Sequence, residues 1–465
     1  MEALGIILSL FLLMFFAYRG FSVILFSPIF ALLAAAMSGL AIMPAYTELF
    51  MAKAVSYVKV YFPIFMLGAV FGKVMEDTGL AKSISAKIMK SLGQERAILA
   101  VVLAGSVLTY GGVSLFVVVF AVYPFAAALF REANIPKRLV PGAIALGAFT
   151  FTMDSFPGTP QIQNIIPTNF FGTTIYAAPV SGILGGLSIL ILGLWYLERR
   201  RKAAAAAGEG YGNHTINEPE VRDDSNMPNW FISALPLITV LVVNFAMTRL
   251  FAWDPNLLAP FAAMKLPLIA ASVKNVISIW SLIIALVCGI ALAVALGVSR
   301  LPKGGLAKAL NAGAIGSLLA IMNTASEVGY GNVVASLPGF KSISEALMSI
   351  KIGGTPLVSE AVTVTTLAGI TGSASGGMSI ALDLMAKDWL AWANQIGMSP
   401  EMLHRVASMA SGGMDTLPHN GAVITLLAVC GLTHKDSYPD IFAITCLKTL
   451  AVFLVIILHL TTGIL

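Results

Sequence analysis

The chain has 465 residues, of which 58% are hydrophobic and 11% charged, with mean hydropathy +0.87 and formal net charge +5. A soluble domain is about 45–50% apolar and about 25% charged, so a soluble enzyme, a disordered chain and a disulfide-built scaffold are excluded. The apolar residues fall in blocks of about 20, the length that crosses a hydrocarbon core as helix, and the chain reads as an all-α polytopic membrane protein.

The first block, 3–18, follows Glu2 and precedes Arg19, its first basic residue. That order reads as a transmembrane helix, not a cleaved signal peptide. Further spans are expected at 22–42, 60–76, 138–153 and 174–197, then at 231–248, 276–298, 309–326, 403–428 and 440–463. Two other apolar stretches, 97–130 and 358–386, are interrupted by Thr109-Tyr110-Gly111-Gly112-Val113-Ser114 and by Thr371-Gly372-Ser373-Ala374-Ser375-Gly376-Gly377. Adjacent glycines cost a helix about 1 kcal/mol each relative to alanine. Each stretch is therefore expected to be a re-entrant hairpin, whose non-helical tip is tolerated when buried in protein or lining a cavity.

With the N-terminus outside, 18 basic residues fall in inside loops and nine outside, and Lys448 lies within the last span. This bias favours the arrangement, which puts both termini outside a bacterial cytoplasmic membrane. The polar segment 199–230 opens on Arg199-Arg200-Arg201-Lys202 and reads as a flexible cytoplasmic linker. The sequon Asn213-His214-Thr215 is expected to be idle there. Cys288, Cys430 and Cys446 lie in apolar runs and read as buried spectators.

The linker separates two similar halves. Residues 1–198 form an N-terminal repeat with hairpin 97–130 and a broken helix 138–165. Residues 231–465 form a C-terminal repeat with hairpin 358–386 and a broken helix 403–428. Met153-Asp154-Ser155-Phe156-Pro157 recurs as Met414-Asp415-Thr416-Leu417-Pro418, and Gly111-Gly112 as Gly376-Gly377. Asp77-Thr78-Gly79 recurs in the same order as Glu327-Val328-Gly329. Five spans and one hairpin per half invert the second half relative to the first, the plan of secondary transporters.

No GxxxxGK[ST], HExxH, GxSxG or clustered Cys/His pattern is present, so no ATPase motor, enzyme, cofactor or metal is expected. The two hairpin tips and the two helix breaks, Thr152–Pro160 and Gly412–Gly421, are expected to converge near the midplane. Broken helices expose backbone N–H groups and a partial positive charge, which suits a small carboxylate. The expected substrate-binding residues are Thr109, Tyr110, Gly111, Gly112, Ser114, Thr152, Ser155, Thr159, Ser373, Ser375, Gly376, Gly377, Thr416 and Asn420. No arginine or lysine lies within these motifs. Asp154, Asp415 and His419 are the expected proton carriers, because a carboxylate at the bilayer centre is costly and histidine titrates near neutral pH. The competing reading makes the Gly/Pro/Ser clusters kinks and close-packing sites, with each aspartate capping the half-helix that follows it. For Gly68xxxGly72 and Gly182xxxGly186 the packing reading is preferred. Glu327, Asp77 and Glu76 are expected to mark span ends.

At these residues the chain resembles the gluconate permease (GntP) family of proton-coupled carboxylate symporters, within the wider ion-transporter superfamily. The segments that carry the likeness are Tyr110–Ile165, with its TMDSFPGTPQIQN run, and Ser411–Phe442, with its GGMDTLPHNGAVIT run. Within the family the likeness is to the D-beta-hydroxybutyrate permease branch, and the LPHNGAVIT-type segment departs from the gluconate carriers. The resemblance implies a homodimer whose protomers have a scaffold part, 1–96 and 231–357, and a transport part. The latter holds the hairpins and spans 138–198 and 403–465, and moves as an elevator. It also implies proton coupling, with sodium coupling known elsewhere in the superfamily.

The expected function is therefore proton-coupled symport of a short hydroxy-monocarboxylate, 3-hydroxybutyrate above others. Open alternatives are a gluconate or sugar-acid proton symporter, a sodium-coupled carboxylate symporter and an anion channel. The partners expected are the carboxylate, the coupling ion, the lipid bilayer and a second copy of the chain, and no nucleic acid.

Overall fold

A computed structural model describes residues 2–19, 21–113, 115–218, 227–301, 305–418 and 420–465. Ser114 and His419, both expected site residues, lie outside the described residues.

The described chain is helical throughout. In the first half α1 (Glu2–Tyr18) and α2 (Val23–Met37) lead to α3 (Ile42–Pro44), a π-helical segment Ala45–Met51 and α4 (Ala52–Asp77). The last three run together as one 36-residue rod. Then follow α5 (Leu80–Leu92), α6 (Ala97–Tyr110), α7 (Leu115–Glu132), α8 (Val140–Ala148), α9 (Phe151–Asp154), α10 (Ile162–Phe171) and α11 (Pro179–Ala206). The second half holds α12 (Trp230–Phe245), α13 (Ala259–Ala263), α14 (Ile277–Gly297), α15 (Gly305–Ala335), α16 (Pro338–Met348) and α17 (Leu357–Thr371). It ends with α18 (Ala374–Gln395), α19 (Pro400–Ser411), α20 (Gly421–Cys430) and α21 (His434–Thr462).

Six helices among the described residues are long and apolar enough to cross a membrane, or seven if α5 and the following helix, bent by 105°, count as one span. This is fewer than the ten spans read from the sequence. The blocks 3–18 and 22–42 form helices of only 17 and 15 residues. The blocks 138–153 and 403–428 are broken rather than continuous: α8 stops at Ala148, before Thr150 in a non-helical conformation, and α19 stops at Ser411, before Gly412-Gly413. Apolar side chains such as Leu4, Ile191, Val242, Ile315 and Ile457 are exposed on the helix surfaces, as lipid-facing positions require.

Both glycine-rich interruptions break the helix. Gly112 (φ 94°) ends α6 and Gly372 (φ 66°) ends α17, each in the left-handed region that favours glycine. The arms of the second hairpin are in backbone contact: a methyl group on Gly377 would lie 2.2 Å from the Ala368 amide nitrogen. Gly182 and Gly186 are close-packing positions too, against the Ser155 carbonyl and the Phe156 ring, whereas Gly68 faces open space.

The segment after α11 departs from the expected free linker. Arg199–Lys202 belong to α11 itself. Beyond it, Glu209 pairs with Arg138 at 2.6 Å, and Glu218 pairs with Lys137 at 2.7 Å and with Arg131. Asn217 Nδ2 donates to the Ala428 carbonyl at 2.8 Å. Burial alone would raise the Glu218 carboxyl, but Lys137 and Arg131 hold it below the ordinary carboxylate value. A lowered value in the folded state means that the stabilisation is present at neutral pH and disappears as pH falls through that value, below about pH 4. Glu218→Gln is expected to speed amide hydrogen exchange over 209–218 about tenfold at neutral pH. The native chain should show the same acceleration, after correction for intrinsic rates, only in acid. Unchanged exchange in the variant would mean that other contacts hold 209–218 in place.

Candidate functional site

The first break is organised by side chains that satisfy freed carbonyls. Thr150 Oγ1 donates to the Leu146 carbonyl at 2.6 Å and Thr152 Oγ1 to that of Gly147 at 2.7 Å. Thr159 Oγ1 donates to the Thr152 carbonyl at 2.6 Å, and Tyr110 OH to that of Pro157 at 2.7 Å. The hydroxyls expected to face a substrate at Thr152 and Thr159 are thus engaged in holding the break. Ser155 Oγ donates to Asp154 Oδ1 at 2.7 Å.

Each hairpin tip is tied to the break of its own half by a side-chain amide. Gln161 Nε2 donates to the Thr109 carbonyl at 2.7 Å and to that of Val113 at 3.3 Å. Asn420 Nδ2 donates to the Gly372 carbonyl at 2.7 Å. The tips themselves lie against other helices: a methyl group on Gly111 would strike Leu237 of α12 at 2.7 Å, and one on Gly376 would strike Glu327 of α15 at 1.4 Å. Ser375 Oγ approaches Thr324 Oγ1 at 3.4 Å. The structure therefore joins tip to break within each half and the two breaks to each other, and seats the tip glycines against neighbouring helices.

The two breaks meet around α19 and α21. Lys448 Nζ, 1% exposed, donates to Asp415 Oδ1 at 2.6 Å and to the Phe149 carbonyl at 3.0 Å. A methyl group on Gly412 would lie 2.0 Å from Asp154 Oδ2 and 3.5 Å from Lys448 Nζ, so both groups crowd that glycine. Asp154 is 1% exposed, and its Oδ2 has no hydrogen-bond partner. Thr416 Oγ1 and Thr445 Oγ1 bond each other, and Thr449 Oγ1 donates to the Gly413 carbonyl at 2.9 Å.

Neither aspartate caps a half-helix. Gln161 is the N-cap of α10, without a side-chain cap bond. Asn420 caps α20, its Oδ1 accepting from the amides of Ala422 at 2.7 Å and Val423 at 3.0 Å. Ser373 caps α18 by accepting from the Gly376 amide at 3.1 Å. Two of these helix starts have thus spent amide donors on their own caps, while the start of α10 has not. Beside it Thr109 Oγ1 is buried and unpartnered.

Sequence reasoning missed two cations at this site. Arg405, at the start of the expected span 403–428, is fully buried in α19. Its guanidinium donates to the Ala177 carbonyl at 2.7 Å, to the Asp154 carbonyl at 3.1 Å and to Asn164 Oδ1 at 3.1 Å. Ser408 Oγ reaches the same Asp154 carbonyl at 2.7 Å. His404, next to it, sits between Thr173 Oγ1 at 2.7 Å and Asn164 Oδ1 at 3.1 Å. Lys448 was visible as a cation inside an apolar span, which by itself calls for a counter-ion. Glu327, expected at a span end, is instead buried well inside α15, whereas Asp77 does end α4, paired with Lys73 at 2.9 Å.

The GntP family permease model matches residues 1–387. The transporter YxjC of Bacillus subtilis is 53% identical over 474 residues, covering 100% of both chains. A transporter of Haemophilus influenzae is 28% identical over 201 residues, covering 43% of this chain and 45% of its own. The fold is similar to that of the YdaH transporter of Alcanivorax borkumensis, with a TM-score of 0.55 and 15% identity over 89% of this chain and 88% of that one. It is also similar to that of Neisseria gonorrhoeae MtrF, with a TM-score of 0.53 and 12% identity over 89% and 84% of the two chains. MtrF is described as illuminating a class of antimetabolite efflux pumps. The chain belongs to the GntP family, a family of permeases and not of enzymes.

Proposed function

We propose that this chain, a multi-pass permease of the GntP family, is a proton-coupled symporter of a short hydroxy-monocarboxylate, with 3-hydroxybutyrate as its substrate. The observation that carries this reading is Asp154. Its Oδ2 is buried without a partner where the two helix breaks meet, beside a lysine already paired with Asp415. A carboxylate so placed is a functional group by default in a membrane protein, and Asp154 is the better proton carrier of the two because Asp415 has a dedicated cation. The substrate carboxylate would take the uncapped start of α10 and the Thr109 hydroxyl, where backbone donors suit an anion. Its own hydroxyl would meet Ser155, Thr416 or Asn420.

Both buried cations at the helix breaks, Arg405 and Lys448, already have protein acceptors, which suits one carboxylate held by dipoles better than a dicarboxylate. The two halves would act as inverted repeats, with 231–357 and 1–96 as scaffold and the hairpins and broken helices as the moving part of an elevator in a homodimer. The membrane would be the bacterial cytoplasmic membrane, with both termini outside.

The test is uptake of labelled (R)-3-hydroxybutyrate into liposomes holding the purified protein, with proton and sodium gradients imposed separately. Uphill accumulation on the proton gradient alone is the expected result. Accumulation on sodium alone would replace the coupling ion. Competition by gluconate but not by 3-hydroxybutyrate would replace the substrate. Flux strictly down the substrate gradient would mean an anion channel.

A further inference from the structure

A second polar zone lies away from the helix breaks, between α4, α15 and the second hairpin. On α4, Lys53, Tyr57 and Tyr61 recur at four-residue spacing and so share one face. On α18, Ser375, Ser379 and Asp383 do the same. The two stripes oppose each other: Lys53 Nζ pairs with Asp383 Oδ1 at 2.8 Å, and Tyr57 faces Ser379. The outer rung is open to solvent, with the Lys53 side chain 37% exposed.

Inward the stripe is buried and unsatisfied. Tyr57 OH, Tyr61 OH, Ser379 Oγ and Glu327 Oε2 are all buried without a hydrogen-bond partner. Tyr57 and Ser379 have at most each other in reach, and Glu327 has at most Ser373; polar groups so thinly satisfied on three adjoining helices are a place for a bound species or a function. Glu327 is 2% exposed, and its Oε2 lies over the first turn of α18, filling the space beside Gly376. The Gly376 amide already donates to Ser373 Oγ at 3.1 Å, so Glu327 receives no cap bond from it.

The charges that face Glu327 leave it without a counter-ion. From α4 come Tyr57 and Tyr61, and Lys53 is held by Asp383 of α18. From α2 there is no ionisable side chain, and Glu48 of the adjoining π-helix is exposed. Tyr330, one turn along α15, bonds Ser9 at 2.8 Å. The pull of the α18 helix dipole on an anion is weaker than the cost of burying an unpaired charge.

We propose that Glu327 is a proton-binding latch, reached from the surface along the Lys53–Asp383 and Tyr57–Ser379 rungs, that seats the second hairpin on α15. Protonated, Glu327 fits the seam as a neutral group, and the hairpin tip stays against α15. Ionised, it is an unpaired charge in an apolar interface, and the contact opens so that water and the waiting hydroxyls can solvate it. The elevator reading supplies the consequence, since the contact joins the scaffold part to the moving part, but the latch chemistry does not depend on Asp154 or on the substrate.

The test is a cysteine cross-link that needs no transport. Cys288, Cys430 and Cys446 are replaced by serine, and Thr324→Cys and Ser375→Cys are introduced across the 3.4 Å contact. Disulfide formation is followed from pH 6 to pH 9 with Glu327 or with Glu327→Gln in the background. An ionised Glu327 would also disfavour ionisation of the neighbouring thiols, so the thiolate fraction of each single-cysteine variant is measured by alkylation against pH in both backgrounds and divided out of the cross-linking rates. Glu360, also buried and unpartnered on the same hairpin, is present in both. The ratio of the two rates is expected to fall at least about fivefold with rising pH, as a two-state contact should when one state loses a proton. A ratio independent of pH overturns the latch. A ratio that responds to sodium chloride against choline chloride at fixed pH, and not to pH, also overturns it, because the seat would then take a metal cation. Should Glu327→Gln fail to fold, amide exchange over 373–379 in the native chain, corrected for intrinsic rates, must show the same opening in alkali or the proposal fails.

Discussion

Asp154→Asn is expected to abolish proton-driven accumulation of substrate while sparing exchange of labelled for unlabelled substrate. The side chain of asparagine has the same size, and the contacts that hold the break use the backbone: Arg405 and Ser408 both bond the Asp154 carbonyl. Folding should therefore survive. What is lost is a group that can take and give a proton at the junction of the breaks. For one proton per substrate, a gradient of one pH unit drives about tenfold accumulation, and the variant should show none. Exchange needs binding and the conformational change but no net proton movement, so it should continue. Intact accumulation would mean that Asp154 is not the carrier and would turn attention to Asp415. Loss of exchange as well, in a protein that still elutes as a single species, would make Asp154 a binding residue.

The parts of this architecture that were legible in the sequence are those written in glycine and proline. Gly111-Gly112 and the Thr371–Gly377 run interrupt apolar stretches, and both do end helices. Pro157 and Pro160, and Pro418, mark the two breaks, and the matching Asp-containing motifs drew attention to residues that the fold does bring together. The parts that were not legible depend on partners far along the chain. Arg405 stands at the edge of the expected span 403–428 with no local partner, because its acceptors at Asp154, Asn164 and Ala177 lie in the other half. Glu327 looks like a span end because Thr324, Ser326 and Glu327 interrupt the apolar pattern. The helix nonetheless continues to Ala335, since those polar side chains are buried inside the protein and not at the water boundary. Hydroxyl-rich breaks carry a further ambiguity. Thr152 and Thr159 have the composition of a binding site, but a broken helix also frees carbonyls, and these two threonines satisfy them.

The second large effect is expected at Lys448. Lys448→Met should lower stability by about 3–5 kcal/mol, the range for removing one partner of a buried ion pair, read as a fall in the thermal midpoint of the detergent-purified protein. Two losses combine. Asp415, 4% exposed, loses its cation and must either carry an unpaired charge or take up a proton. The Phe149 carbonyl loses the donor that ties the end of α8 to α21. The double variant Lys448→Met with Asp415→Asn separates them. If the unpaired charge dominates, neutralising Asp415 should restore most of the midpoint, because a buried ion pair contributes little beyond balancing its own desolvation. If the double variant is as unstable as the single one, the Phe149 bond is what Lys448 supplies, and the lysine would be a strut between the two breaks first and a counter-ion second. The same pair bears on coupling. A restored double variant that still accumulates substrate on a proton gradient would show that Asp415 need not titrate, leaving Asp154, with its unpartnered oxygen, as the carboxylate at this junction that can.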